Sequence, residues 1–528
     1  MTFNSLHFFI FFPIVAMLYY IIPKKYQWIW LLIVSYVFYL LANFKFGFFL
    51  MSTTVTTYYA AIGVGKINEH QKDVLLANKD TYAKEQIKEL KANSKKHKKQ
   101  VVAGVLLINF GILAFLKYSN FFIKSVDGVL GAFHSSASVP TLKLLLPLGI
   151  SFYTFQAMGY VIDVYRGKYQ PEKNLAKLAL FLSFFPQIME GPIGRYNELA
   201  HQLYGQHEFD YNNAKFGLQL MLWGYFKKVV IADRAGILVN MVYSNYQSFS
   251  GLQVAFVAVI YAVQIYADFS GYIDIATGAA QFLGIRLAPN FNRPYFSKSV
   301  SEFWRRWHIS LGTWFKDYLF YPLSLSKTGI NLGKFSRKHF SPAFAKNVPA
   351  FFGLSVVWLT TGLWHGSDWH YVIYGVYYGA LIILSMQCKP LLQSLTAKLR
   401  IPTESFGWKL FRVARTFSLV CLGFILFRAE NMGIAFSMMK SIFTLSKPAL
   451  STSFIFNNFT RTDFAFLILS IIVLVIVSLL QRKRNLRETL SKQNIVFRWS
   501  IYCTAALSVI FLGVLASNDP SQFIYFQF

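Results

Sequence analysis

Five ionisable side chains fall within or at the ends of long apolar runs: Glu190, Asp268, Asp274, His308 and His365. A charge at the centre of a bilayer costs about 2.5–3.5 kcal/mol on insertion scales, so each such group needs a partner or a task. The two histidines offer the most direct chemistry. An imidazole titrates near pH ~6.5 and can take a proton from a hydroxyl at neutral pH, a general-base contribution of about 10²–10⁴ in rate. His365 stands in TTGLWHGSDWH (360–370), between Trp364 and Gly366. His308 stands in FWRRWHISLGTW, a stretch dense in Arg and Trp that reads as a partly embedded or re-entrant segment. For each, the ordinary alternative is a hydrogen-bonding histidine of the core.

The carboxylates divide differently. Asp268 and Asp274, in YADFSGYIDIATGAAQFLG, read first as helix ties, each paired with a buried arginine such as Arg293 or Arg305. Glu190 stands among Pro186, Gly191 and Pro192, which break a helix; it either orders that loop or meets a ligand, and Arg195 is its nearest basic neighbour in sequence. His370, at the start of the next apolar run, reads as a polar lining or interfacial residue. Cys388, Cys421 and Cys503 show no CxxC pairing, so no disulfide framework and no metal site is expected.

The elements that must position these groups are membrane helices. The chain has 528 residues, 55% of them hydrophobic and only 14% charged, which is too apolar for a soluble protein and too long for a simple anchor. Its apolar runs predict an all-α polytopic membrane protein with roughly 11–13 transmembrane or re-entrant helices. The first run, LHFFIFFPIVAMLYYII, has no basic region before it and no small-residue cleavage site after it, and reads as a retained helix.

The net charge of +29 sits in the connections between apolar runs. The positive-inside rule accounts for it, so no nucleic-acid partner is inferred. Residues 23–25, 66–99, 166–168, 334–346, 389–415 and 482–487 are then cytoplasmic, and the C-terminal SNDPSQFIYFQF lies on the other side. We read residues 1–528 as a single membrane domain, with 66–100 a basic cytoplasmic helical insertion and 145–375 the catalytic core. In that core Gly, Pro and ionisable residues repeatedly interrupt the apolar runs, which membranes tolerate only where protein or a water-filled cavity satisfies the backbone. Counting sides brings His365 in from the outer half of the membrane and His308 from the inner half, as a reaction spanning the bilayer requires.

At these residues the chain resembles the membrane-bound O-acyltransferase (MBOAT) family, in particular its bacterial branch of alginate O-acetylation, peptidoglycan O-acetylation and teichoic-acid D-alanylation membrane proteins. The matching stretches are PLGISFYTFQAMGYVIDVYRG, FFPQIMEGPIGRY, YADFSGYIDIATGAAQFLG, NFNRPYFSKSVSEFWRRWHISLGTWFKDYLFYPL and GLWHG. FNSLHFFIFFPIVAMLYYIIP, LGFILFRAENMGIAF and the terminal FIYFQF match as well, so the resemblance covers most of the chain.

The resemblance implies helices around a central tunnel, with His365 at the position of the family's near-invariant active-site histidine and His308 at its second signature histidine. It implies transfer of an acyl group, here acetyl, from a cytoplasmic thioester donor such as acetyl-CoA to an extracytoplasmic cell-wall or exported glycan, with an SGNH-type acetyltransferase as partner. His365 would activate the acceptor hydroxyl or support an acyl shuttle, and His308 would position the donor or polarise its thioester. Trp304, Arg305, Arg306 and Trp307 would shape the donor end. Two departures, SLSKTG after DYLFYPL in place of a Gly-Gly turn and the insertion at 66–100, favour O-acetylation over D-alanyl transfer to teichoic acid. A proton-coupled secondary transporter would also use broken helices and buried ionisable groups, but it predicts inverted repeats, and none is detected. A scaffold that only recruits an acetyltransferase would leave the buried ionisable residues without a role.

Overall fold

The computed structural model of the chain describes residues 2–133, 139–444, 459–482 and 484–514. Among the described residues every regular element is a helix. Among the described residues seven helices are long and apolar enough to cross a membrane: Lys84–Leu130, Gly251–Phe282, Val348–His365, Trp369–Gln387, Phe406–Arg428, Arg461–Leu480 and Ile495–Leu512. Leu6–Ile21 is a shorter apolar helix. Among the other apolar runs, Phe46–Ala77 is a continuous helix of 32 residues, Gln27–Leu40 is a shorter one, and the runs around Pro186 and Pro192 are broken. The C-terminal SNDPSQFIYFQF falls outside the described residues.

The chain forms two compact units. The first comprises Met1–Gly217 with Ala279–Ala288, and the second Leu218–Gly278 with Pro289–Phe528.

In the first unit, the basic insertion at 66–100 is the tip of a helical hairpin rather than a separate surface helix. Helix Phe46–Ala77 runs out past the apolar stretch, a turn follows, and the helix beginning at Lys84 returns. Lys98 Nζ donates to Asn68 Oδ1 at 2.7 Å across the hairpin. Helix Ile150–Tyr165 is buried along nearly its whole length. It starts at Gly149, whose φ of 72° lies in the left-handed region, and a side chain there would also strike the backbone of Ile188 and Met189. That contact sets the helix against the broken segment holding Glu190.

In the second unit, the part of helix Tyr211–Tyr225 from Leu218 onward passes into a π-helical stretch, Phe226–Ala232, and on into helix Asp233–Ser244. Gly224 lies against Gly271 of helix Gly251–Phe282 so closely that a Cβ on Gly224 would press on the Gly271 carbonyl. Small residues let membrane helices approach, and the approach lets charged side chains reach across. Lys227 Nζ meets Asp274 at 2.7 Å and donates to Ser270 Oγ at 2.8 Å. Lys228 Nζ meets Asp268 at 2.7 Å and Asp233 at 3.0 Å. The aspartates are therefore helix ties, but their partners are lysines rather than the expected Arg293 or Arg305. Arg293 stands in a loop at φ 46° and Arg305 is exposed. Adjacent lysines on a π-turn reach two aspartates spaced about 9 Å along the facing helix.

Helices Val348–His365 and Trp369–Gln387 form an antiparallel pair. Gly362 abuts the Tyr371 carbonyl and Gly375 the Trp358 carbonyl, so neither position has room for a side chain. Asp368 caps the second helix through its contact with the His370 amide, a device worth about 1 kcal/mol.

Candidate active site

His308, His365 and the aromatic rings described around them belong to the second unit. His365 is the last residue of its helix and is 4% exposed. Its ring packs on Trp364, Tyr374 and Phe427, with centroids 4.8, 5.5 and 5.2 Å away. Gly366 follows it because the ring of Tyr371 occupies the space a Cβ would need. The turn therefore folds tightly enough to leave the imidazole facing inward.

His308 separates two short helices, Val300–Arg306 and Ile309–Phe315, and is 2% exposed. Its φ of 47° lies in the left-handed region, which a residue with a Cβ adopts only when its surroundings impose it. The imposing partner is Asn290. The Asn290 carbonyl accepts from Ile309 N at 3.0 Å, and its Oδ1 lies 3.0 Å from Ser310 N, 2.9 Å from Ser310 Oγ and 3.2 Å from His308 Nδ1. Asn292 N donates to Arg306 O at 2.9 Å, so the two chain segments pair on both sides of His308. The His308 ring meets Phe269 edge-on at 4.9 Å and Trp364 at 5.7 Å. Trp364 thus touches both imidazoles, which are brought together in an aromatic enclosure.

The other sequence-predicted residues take different positions. His370 Nδ1 lies 2.9 Å from Asp368 Oδ1, beside the ring of Tyr371, in the cap of its own helix. Trp307 is fully buried among Phe291, Tyr295, Phe303 and Phe424, a core role. Trp304 packs on Trp358 and Tyr378, and Arg306 pairs with Glu302 at 2.6 Å. Glu190 and Arg195 belong to the first unit. Glu190 is buried in a loop organised by Gln187, whose side chain donates to Gln156 Oε1 and to the Pro192 carbonyl. Arg195 lines a small open cleft with Glu198, Gln202 and Arg286. Among the described residues no cluster of His, Cys, Asp and Glu has the geometry to hold a metal ion.

A pair of buried imidazoles in an apolar membrane enclosure suits proton transfer to or from a neutral substrate. The comparisons with known proteins bear on which substrate. Residues 173–337 match the family model described as MBOAT, membrane-bound O-acyltransferase family. The "Probable alginate O-acetylase AlgI" of Pseudomonas putida is 30% identical, over 100% of this chain and 100% of its own length. The chain belongs to the membrane-bound O-acyltransferase family. A "Peptidoglycan O-acetyltransferase" of Helicobacter pylori is 27% identical to this MBOAT protein over 95% of the chain and 91% of its own length. A "Teichoic acid D-alanyltransferase" of Bacillus subtilis is 27% identical over 56% of this chain and 72% of its own.

The family match takes in His308, Glu190, Asp268, Asp274 and both lysines, and it ends before His365. Lys227, Lys228 and Asn290 are the residues the sequence reading passed over. Two lysines inside the apolar run 215–232 are a signal of the same kind as a buried aspartate. Asn290 carries no such signal, since a neutral polar residue in NFNRPY is ordinary loop composition.

Proposed function

We propose that this MBOAT protein transfers an acetyl group from a cytoplasmic thioester, acetyl-CoA, to a hydroxyl of an extracytoplasmic cell-wall or exported polysaccharide. The region 145–375 forms the catalytic core around a tunnel through the membrane, and an SGNH-type acetyltransferase outside completes delivery. His365 takes the proton of the acceptor hydroxyl as that oxygen attacks the thioester carbonyl carbon. The C–S bond then breaks, and the proton passes to the departing thiolate, leaving an ester and a thiol. His308 contacts the substrate from the donor side.

The observation that carries this reading is the convergence of the two imidazoles on one buried indole, Trp364. A histidine that only stabilises a helix end has no need of a second one across an indole. The relatives matched along nearly the whole chain are named for O-acetylation, whereas the D-alanyltransferase of Bacillus subtilis matches about half of it. Proteoliposomes holding the full chain, given acetyl-labelled acetyl-CoA on one face and a glycan acceptor with an SGNH-type acetyltransferase on the other, test the assignment. Labelled ester on the glycan is expected from the native chain and not from His365→Ala. Equal labelling by both would sink it.

A further inference from the structure

The geometry points to Asn290 as a positioning residue that fixes which nitrogen of His308 carries the proton, making His308 a proton acceptor in the site. The inference rests on the reading of His308 as part of the transfer site. Asn290 is 1% exposed, and its Oδ1 receives Ser310 N at 3.0 Å, Ser310 Oγ at 2.9 Å and His308 Nδ1 at 3.2 Å.

An amide side chain can usually be turned end for end without changing its shape, which leaves its oxygen and nitrogen ambiguous. Here the backbone removes the ambiguity. The Ser310 N–H can only donate, and an amide NH₂ cannot accept, so the atom facing it is the oxygen. That same oxygen faces His308 Nδ1. Nδ1 therefore carries the hydrogen and donates it to Asn290, and in the neutral ring Nε2 holds the lone pair.

The backbone makes this arrangement hard to escape. Asn290 O accepts from Ile309 N, Asn290 Oδ1 accepts from Ser310, and Asn292 N bonds Arg306 O, so the chain is clamped on both sides of the left-handed His308. Moving the hydrogen to Nε2 would leave a lone pair on Nδ1 facing the Asn290 oxygen, and turning the ring over would put a carbon there and lose the bond. A neutral His308 consequently has no N–H at Nε2 with which to polarise a thioester carbonyl. It accepts instead, from a substrate O–H or N–H, and that choice separates the two roles open to it.

Full-length chain in proteoliposomes, with acetyl-labelled acetyl-CoA as donor, distinguishes positioning from simple support. Asn290→Ala is expected to lower kcat by about 10–100-fold, the usual effect of removing the partner that orients a histidine, while KM for acetyl-CoA stays within about twofold. Asn290→Asp keeps an acceptor oxygen for both Nδ1–H and Ser310 N–H and is expected to retain most of the native kcat. Asn290→Ala/His308→Ala is expected to be no slower than His308→Ala, because the asparagine acts through the imidazole. Native kcat in Asn290→Ala, a rate in Asn290→Asp as low as that of His308→Ala, or additive losses in the double variant would each overturn the assignment. Should Asn290→Ala fail to accumulate, the near-isosteric Asn290→Asp alone still decides. Full activity in His308→Ala would instead remove the reading of His308 on which the inference stands, whereas an inactive His308→Ala beside a fully active Asn290→Ala would remove the inference only.

Discussion

His308 and His365 pack on the same indole, that of Trp364, with ring centroids 5.7 and 4.8 Å from it. The indole therefore contacts both imidazoles, and each ring has a second aromatic wall, Phe269 for His308 and Phe427 for His365. Trp364→Phe keeps an aromatic plate and is expected to retain transfer at a reduced rate. Trp364→Ala opens a cavity costing about 3–5 kcal/mol and frees both rings, so it is expected to lower the melting temperature and transfer together. Melting in detergent beside labelled-acetyl turnover separates the two variants.

Each imidazole makes its own prediction. His365→Ala and His308→Ala should each lower the transfer rate by at least about 10²-fold, the lower end of general acid–base contributions, while the protein still accumulates in the membrane. Full-rate turnover by either variant would remove that residue from the chemistry.

The lysine–aspartate ties predict a contrast in stability. Lys228 is buried against Asp268 and Asp233, so Lys228→Ala leaves two carboxylates without their cation and should cost about 3–5 kcal/mol. Lys24 pairs with Glu208 at the surface, where both side chains are solvent-accessible, and Lys24→Ala should leave stability nearly unchanged. Thermal unfolding of the two variants side by side checks the difference, and equal shifts would contradict it.

Gly366→Ala drives a methyl group into the ring of Tyr371. The turn must then open and carry His365 with it, so transfer should fall although no polar group has been removed. Gly366→Ala/Tyr371→Leu vacates part of that space and should recover part of the rate. A double variant no better than Gly366→Ala would argue that the loss has another origin.

The sequence made His308 and His365 legible because an ionisable group in an apolar segment needs an explanation, and the same test found Asp268 and Asp274. It led to the wrong partners for the aspartates because Arg293 and Arg305 are near in the chain, whereas Lys227 and Lys228 become near only through the approach of Gly224 to Gly271. Side counting led to the two histidines from opposite directions, but their common indole depends on side-chain packing that hydropathy does not encode. Asn290 was invisible for another reason: its importance lies in three hydrogen bonds to one oxygen atom, a matter of geometry rather than composition. The charged stretch at 66–100 lies in the ends of two long helices and the turn between them, a continuity that shows only when both arms are placed.

Arg234 binds residues that are made long after it. Its guanidinium donates to the Leu512 carbonyl at 2.7 Å and meets Asp463 at 3.3 Å, joining helices Arg461–Leu480 and Ile495–Leu512 to helix Asp233–Ser244 within the second unit. The clasp is whole only in a chain that reaches residue 512, so the last helix, which buries none of its apolar window, is held here through one carbonyl of its final residue. A chain cut short before that helix would keep the Asp463 ion pair and lose the Leu512 half of the clasp.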